Sequence, residues 1–184
     1  MKKKKIAFMI NQMSQGGPAR NLLNLLPLID SSKYNVTIIL FNAGGIFFNE
    51  IPSTIKIFYA EPRGLFCNYR EDRISYLLWF PVRAALKIIG ICMRKFFGQK
   101  VEIYWKLKEP FIKHNPMIFD LGMAFIEGAP IYYLSKFINA KIKIGRIPTD
   151  YISAKLNAAF DFPYFSKLDY LFSITTETAK RLAI

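Results

Sequence analysis

Short apolar runs with strand character alternate along the chain with segments of helical spacing. The first run, residues 6–10, has no polar interruption, as expected of a strand that is buried on both faces. From Ala19 onward the leucines recur at helical spacing. Pro18 suits the first helical position, and Pro27 is expected to kink or end this helix. Five further runs are predicted as strands: residues 36–41, 55–59, 119–125, 141–147 and 170–174.

Helical periodicity predicts the remaining elements and, with them, the class of fold. The predicted helices, besides the one from Ala19, are residues 83–94, Val101–Lys108, Ala129–Phe137 and 175–182. The order β-α-β-β-α-α-β-α-β-α-β-α predicts an α/β fold, with a mainly parallel sheet and helices on both faces. Sites in such sheets lie at the carboxyl ends of the strands. The candidate loops therefore follow Ile10, Phe41, Phe125, Ile147 and Ile174.

The composition narrows the class of protein. The chain has 184 residues, of which 52% are hydrophobic, which excludes a disordered chain and suits one domain over residues 1–184. The two cysteines, Cys67 and Cys92, exclude a disulfide scaffold and a cysteine-rich metal site. The single histidine, His114, argues against a Ser/His/Asp triad and a histidine metal site. No metal site is predicted.

No part of the sequence has the pattern of a membrane-spanning helix. The longest uncharged run, residues 34–49, contains polar positions and is shorter than the roughly 20 apolar residues that a crossing needs. The lysines at positions 2–5 precede an apolar stretch that is too short for a secretory signal. We therefore expect a cytoplasmic protein.

The formal net charge of +13 is concentrated in the middle third of the chain. Residues 63–115 hold eleven basic and four acidic residues, a net of +7, among many aromatic side chains. This basic amphipathic segment, about residues 69–114, favours an anionic membrane surface as partner, with ordinary solvated helices as the alternative. Nucleic acid is not expected, because no recognisable nucleic-acid-binding module accompanies the charge. The predicted membrane-surface residues are Arg83, Lys87, Arg94 and Lys95.

Three predicted loops carry residues that suit a binding or catalytic site. Gly16 and Gly17 lie between the first strand and the first helix, where glycines let backbone N–H groups approach an anion such as phosphate. Glu127 and Asp150 each follow a strand and are the candidates for an acid, a base or an acceptor of a sugar hydroxyl. The structural alternatives remain open: a tight turn at the glycines, and helix caps at Glu127, Thr149 or Asp150.

In their order and spacing these segments resemble the start of the retaining glycosyltransferases of GT-B type, of the family 4-like group. Those are two-domain enzymes that build bacterial polysaccharides from nucleotide sugars. The resemblance extends over residues 6–183. It rests on residues 15–20 (QGGPAR), 32–37 (SKYNVT), 50–52 (EIP), 127–130 (EGAP) and 149–151 (TDY).

The resemblance implies a Rossmann-like domain that forms the acceptor-binding half of a GT-B fold, located peripherally at the inner face of the cell membrane. It implies that Gly16 and Gly17 close over the diphosphate of the donor. The acceptor, a saccharide or a lipid-linked molecule, would lie in a cleft. The resemblance implies no cofactor, and a nucleotide sugar would bind as donor substrate only to a second domain. The implied acceptor-binding residues are Glu127, Gly128, Thr149, Asp150 and Tyr151.

The sequence departs from the family pattern in two ways. Pro148 stands where the family carries a histidine near the reacting sugar, and proline has no side-chain proton to exchange. The chain also ends at Ile184, before any donor domain, so activity is expected to need that domain in cis or as a partner chain. The alternative function is a non-catalytic membrane-surface binding module that is derived from such a domain.

Overall fold

In the computed structural model, six parallel strands form one sheet in the order β3-β2-β1-β4-β5-β6. The predicted α/β class with a parallel, Rossmann-like sheet is therefore confirmed. The strands are β1 (Lys4–Ile10), β2 (Tyr34–Leu40), β3 (Lys56–Tyr59), β4 (Ile118–Ala124), β5 (Asn139–Ile147) and β6 (Tyr170–Ser173). The structure describes residues 2–61, 80–82, 84–85, 88–89, 91, 101–151, 153–154, 156–174, 176 and 179–180.

The helices follow the sequence pattern closely where proline or a cap defines their ends. The α-helices with described bounds are α1 (Gly17–Leu25), α2 (Val101–Lys108), α3 (Ala129–Phe137) and α4 (Ala158–Phe165). As predicted, α1 stops before Pro27, which lies in a short 3-10 helix at Leu26–Leu28. Two further 3-10 helices occur at Phe48–Glu50 and Glu109–Phe111.

The two faces of the sheet carry separate hydrophobic cores. Phe8 of β1 packs in one core with Leu22 of α1, whereas the next residue, Met9, packs in the other core with Ile131 of α3. Side chains alternate between faces along a strand, so neighbouring residues enter different cores. Right-handed crossovers that run in opposite directions from the centre of the sheet place α1 on one face and α3 and α4 on the other.

The winding reverses at β1, which pairs with β2 on one side and with β4 on the other. The chain moves outward from β1 to β2 and β3, and then returns across the sheet to continue from β4 to β6. In sheets of this kind the loops at the carboxyl ends of the two central strands diverge and leave a crevice. The fold thus places the candidate loops after Ile10 and Phe125 at the reversal point.

Helix α2 lies within the predicted basic amphipathic segment of about residues 69–114 and packs one of its side chains, Trp105, into the core. Trp105 is only 2% exposed, and its ring lies 5.3 Å from that of Tyr132. The indole Nε1 donates a hydrogen bond to Tyr164 Oη at 3.1 Å. The predicted membrane-surface residues, Arg83, Lys87, Arg94 and Lys95, lie outside the described residues, as do Cys67 and Cys92. Within the described part of the chain, every helix is too short or too polar to cross a bilayer.

Candidate functional site

A pocket of about 470 Å³ lies at the carboxyl ends of the first three strands, on the crevice where the winding reverses. Its volume falls in the range of small-molecule sites. Its lining includes the neutral amides Asn11 and Gln12 after β1 and Asn42 after β2. It also includes Gly16 at the start of α1 and Glu61 after β3. The loops after β1, β2 and β3 therefore border one cavity.

The glycine loop has one residue that requires glycine and one that does not. Gly16 is the N-cap of α1 and adopts φ +153° and ψ 161°, a conformation that is essentially restricted to glycine. Its carbonyl accepts a hydrogen bond from Arg20 N at 3.2 Å, which starts the helix. Gly17 is the first residue of α1 and has open space where a Cβ would lie. The two predicted phosphate-loop glycines thus have different structural roles.

We expect Gly16→Ala to lower the free energy of unfolding by about 1–3 kcal/mol, because alanine would be held in a strained backbone conformation. Gly17→Ala is the matched control, since alanine is favoured over glycine within a helix by about 0.5–1 kcal/mol. Urea-induced unfolding of both variants measures the difference. Equal losses at the two positions would contradict the distinction between them.

Glu127 and Thr149, predicted from separate loops to line one cleft, are brought together in the structure. Thr149 Oγ1 donates a hydrogen bond to Glu127 Oε1, which joins the loop after β4 to the loop after β5. Glu127 Oε2 is buried and has no hydrogen-bond partner among the described residues. Ile126, directly before Glu127, and Ala129, two residues after it, line the pocket. Gly128, at φ +77°, is the N-cap of α3 and allows the sharp turn that follows Glu127.

Asp150 and Tyr151, the other predicted acceptor residues, have structural partners. The Asp150 carboxylate accepts a hydrogen bond from Ser153 Oγ at 2.9 Å and so caps a turn, whereas the predicted structural alternative was a helix cap. Tyr151 is 5% exposed, and its hydroxyl donates to buried Asp161 at 2.5 Å. Burial, reinforced by the hydrogen bond to Asp161, raises the pKa of Tyr151. Tyr151 therefore anchors the loop that carries Thr149, and its hydroxyl is engaged inside the core.

Glu61, which sequence reasoning missed, is the charged group most enclosed by the pocket. Its side chain is 1% exposed, and Oε1 accepts a hydrogen bond from Lys108 Nζ at 3.0 Å. Burial raises the pKa of the Glu61 carboxyl, and the nearby Lys108 offsets this only in part. The available signal was the rule already applied to the other strands, since Glu61 follows the third predicted strand, whose loop was not considered.

We expect Glu61→Gln to become more stable relative to the parent chain as the pH rises. A carboxyl whose pKa is higher in the folded chain stabilises the fold below its unfolded pKa and loses that contribution as the pH passes the folded value. Glutamine does not titrate, so the difference in the free energy of unfolding grows from about pH 4 upward, since the ordinary glutamate pKa is about 4.3.

Denaturation in urea across that pH range measures this difference. Lys108→Gln removes the partner charge that lowers the pKa of Glu61. In this variant, which keeps Glu61, the free energy of unfolding should therefore fall by a larger amount as the pH rises. A difference between Glu61→Gln and the parent chain that stays constant with pH would contradict the assignment.

The described residues contain no group of three or more histidine, cysteine, aspartate or glutamate side chains that could hold a metal ion. His114 is exposed, and its ring packs on Phe137 with centroids 4.7 Å apart. The described site therefore consists of hydrogen-bonding groups, one ion pair and the start of α1.

Comparison with protein-family models and with curated proteins gives no match to this chain.

Proposed function

We propose that this domain is the acceptor-binding half of a glycosyltransferase that acts in bacterial surface polysaccharide or glycolipid synthesis. The observation that carries the proposal is the hydrogen bond between Thr149 and Glu127, which joins two loops of the resemblance beside the pocket. Amide, hydroxyl and carboxylate side chains of this kind suit a polyhydroxylated ligand, because each hydroxyl needs both a donor and an acceptor. A saccharide or lipid-linked acceptor is therefore the proposed ligand.

In this proposal the donor sugar is supplied by a second domain, in cis or as a partner chain. The backbone N–H groups at the start of α1, after Gly16, would face the diphosphate of a nucleotide sugar across the crevice. Pro148 offers no proton to the reaction, so Glu127 remains the candidate for acid–base chemistry on this side. Without the donor domain the chain is proposed to bind the acceptor and to transfer no sugar.

The first test measures, by calorimetry, the binding of a polyprenyl-linked saccharide in detergent micelles. Thr149→Val should weaken binding because it removes the hydrogen bond between the two loops, and Glu127→Gln should weaken it because a neutral amide is a weaker acceptor than the carboxylate. Thr54→Val and Glu50→Gln are matched controls at exposed positions before β3 and are expected to bind as the parent chain does. Absence of saccharide binding, or equal weakening by the controls, would count against an acceptor site.

The second test is sugar transfer after addition of a donor-domain chain and a nucleotide sugar. Transfer to the lipid-linked saccharide should appear only in the combined sample and should fall in the Glu127→Gln variant. Failure of transfer with every donor domain tried would overturn the enzymatic part of the proposal.

The exposed apolar side chains of Phe80, Ile88 and Ile91 favour a second property, docking on an anionic membrane. The helical residues Phe80, Ile88 and Ile91 are 58%, 62% and 54% exposed, respectively. Apolar side chains of this size, in a segment of strong positive charge, are typical of helices that lie in a bilayer interface. We propose a peripheral location at the inner face of the membrane, either for the glycosyltransferase or for a non-catalytic relative.

Co-sedimentation with vesicles tests membrane docking. Binding should be stronger to phosphatidylcholine vesicles that contain anionic phosphatidylglycerol than to phosphatidylcholine alone, with about 1 kcal/mol for each basic residue near the surface. Ile88→Asp should reduce binding. Leu28→Asp, at a position that is 81% exposed outside this segment, should leave binding unchanged. Sedimentation that is independent of lipid charge would exclude the proposed docking.

A further inference from the structure

The pocket contains an ion pair in which one carboxylate oxygen lacks a partner. Lys108 Nζ contacts Glu61 Oε1 at 3.0 Å, whereas Glu61 Oε2 is buried and has no hydrogen-bond partner among the described residues. Both residues line the pocket. A buried acceptor without a partner is destabilising, so a site that retains one commonly serves a ligand.

The charges of the described pocket lining sum to zero, in contrast with the rest of the chain. Glu61 and Lys108 are its charged members, and they form a pair. The remaining polar lining consists of neutral side chains, namely Asn11, Gln12, Ser14, Gln15 and Asn42. In a chain with a net charge of +13, this lining lacks the uncompensated cation that a phosphate site would use.

We propose that this pocket binds a neutral, hydroxyl-bearing group, and that Glu61 Oε2 accepts a hydrogen bond from a ligand hydroxyl. The side-chain amides after β1 and β2 donate and accept around it. The inference rests on the proposed function and deepens it. It names Glu61 as the residue that selects an uncharged sugar ring over a phosphorylated one.

Electrostatics explain the direction of this selectivity. Lys108 would favour a phosphate beside it in the pocket, but the Glu61 carboxylate that pairs with Lys108 opposes an anion at that place. A hydroxyl group, in contrast, donates to an ionised carboxylate and also pairs with a protonated one. A neutral polyol is therefore compatible with Glu61 in either protonation state, whereas a phosphate is repelled by the ionised form.

The test compares a neutral sugar with its phosphorylated form on the intact chain, by saturation-transfer NMR and titration. The probes are methyl glucoside, methyl galactoside, methyl N-acetylglucosaminide and glucose 1-phosphate. The parent chain should bind at least one neutral glycoside more tightly than the phosphate. Glu61→Gln should weaken the neutral glycoside about fivefold and tighten glucose 1-phosphate, because the variant lacks the carboxylate that repels the phosphate. Glu50→Gln is the matched control and should change neither affinity.

The two affinities must move in opposite directions, since a purely structural effect of Glu61→Gln would lower both together. Loss of both affinities, or no change in either, would overturn the role of Glu61. Glu61→Leu, which removes the acceptor altogether, should weaken the neutral glycoside at least tenfold, and its circular dichroism spectrum reports whether it folds. If the two affinities move in opposite directions but no sugar transfer is found, the role of Glu61 stands and the enzymatic function is rejected. If sugar transfer is found and Glu61→Gln does not change it, the enzymatic function stands and the role of Glu61 is rejected.

Discussion

Replacing Asp161 with alanine is expected to lower the free energy of unfolding by about 3–5 kcal/mol. Asp161 is 4% exposed, and its carboxylate accepts hydrogen bonds from Tyr132 of α3 and from Tyr151 after β5. In the alanine variant two buried hydroxyls would lose their acceptor, and each such loss costs about 1–3 kcal/mol. Urea-induced unfolding monitored by tryptophan fluorescence measures the effect, since Trp105 packs against Tyr132.

A double-mutant cycle with Tyr151→Phe separates this network from a simple packing defect. Tyr151→Phe removes one of the two hydroxyls that Asp161→Ala would leave unpaired. The double variant should therefore be more stable than the sum of the two single losses predicts, by about 1 kcal/mol or more. Strict additivity would show that Asp161 and Tyr151 do not interact as the structure indicates.

Strands β1 and β2 were predictable because their buried residues form short, almost wholly apolar runs. Their amino ends were not predictable. The sheet begins at Lys4 and Tyr34, which pair in register before the apolar residues start. Backbone pairing continues through polar residues at the rim of a sheet, because it depends on main-chain groups that every residue carries. Hydrophobic pattern alone therefore marks the buried part of a strand and not its full length.

Helix α4 shows a different limit of sequence reasoning. The order of elements included a helix between the last two strands, but no amphipathic period defined its bounds. The segment AAFDFPYF is apolar on most sides, and Pro163 lies inside it. Its start is fixed by Asn157, whose side chain accepts a hydrogen bond from Phe160 N at 3.3 Å. Its buried face is defined by Asp161 and Tyr164, and only tertiary contacts show that an aspartate lies inward.

The candidate site was predictable in position but not in composition. Topology places loops after parallel strands at one edge of the sheet, so the pairing of Glu127 with Thr149 could be anticipated as proximity. The inward position of the Tyr151 hydroxyl could not be anticipated from the sequence, because it depends on a hydrogen bond to Asp161, ten residues later. Similarly, the ion pair of Glu61 depends on Lys108 of α2, which lies 47 residues later in the sequence.

Gly45→Ala is expected to lower the free energy of unfolding by about 3–4 kcal/mol and to weaken ligand binding in the pocket. Gly45 adopts φ +106°, which costs an alanine about 1–3 kcal/mol. A Cβ at this position would also lie 2.3 Å from the carbonyl oxygen of Met13, and relief of such overpacking adds about 1–3 kcal/mol. That oxygen accepts a hydrogen bond from Phe47 N at 2.9 Å, which the displacement would lengthen.

Gly44→Ala is the matched control for this prediction. Gly44 also has a positive φ, +81°, but a Cβ there would meet open space, so only the backbone cost of about 1–2 kcal/mol applies. Met13 lies between Gln12 and Ser14, which both line the pocket, so moving its backbone displaces the lining in the Gly45 variant alone. Unfolding in urea and titration with methyl glucoside should thus separate the two variants in both stability and affinity. Equal effects on affinity would show that the contact between Gly45 and Met13 does not shape the pocket.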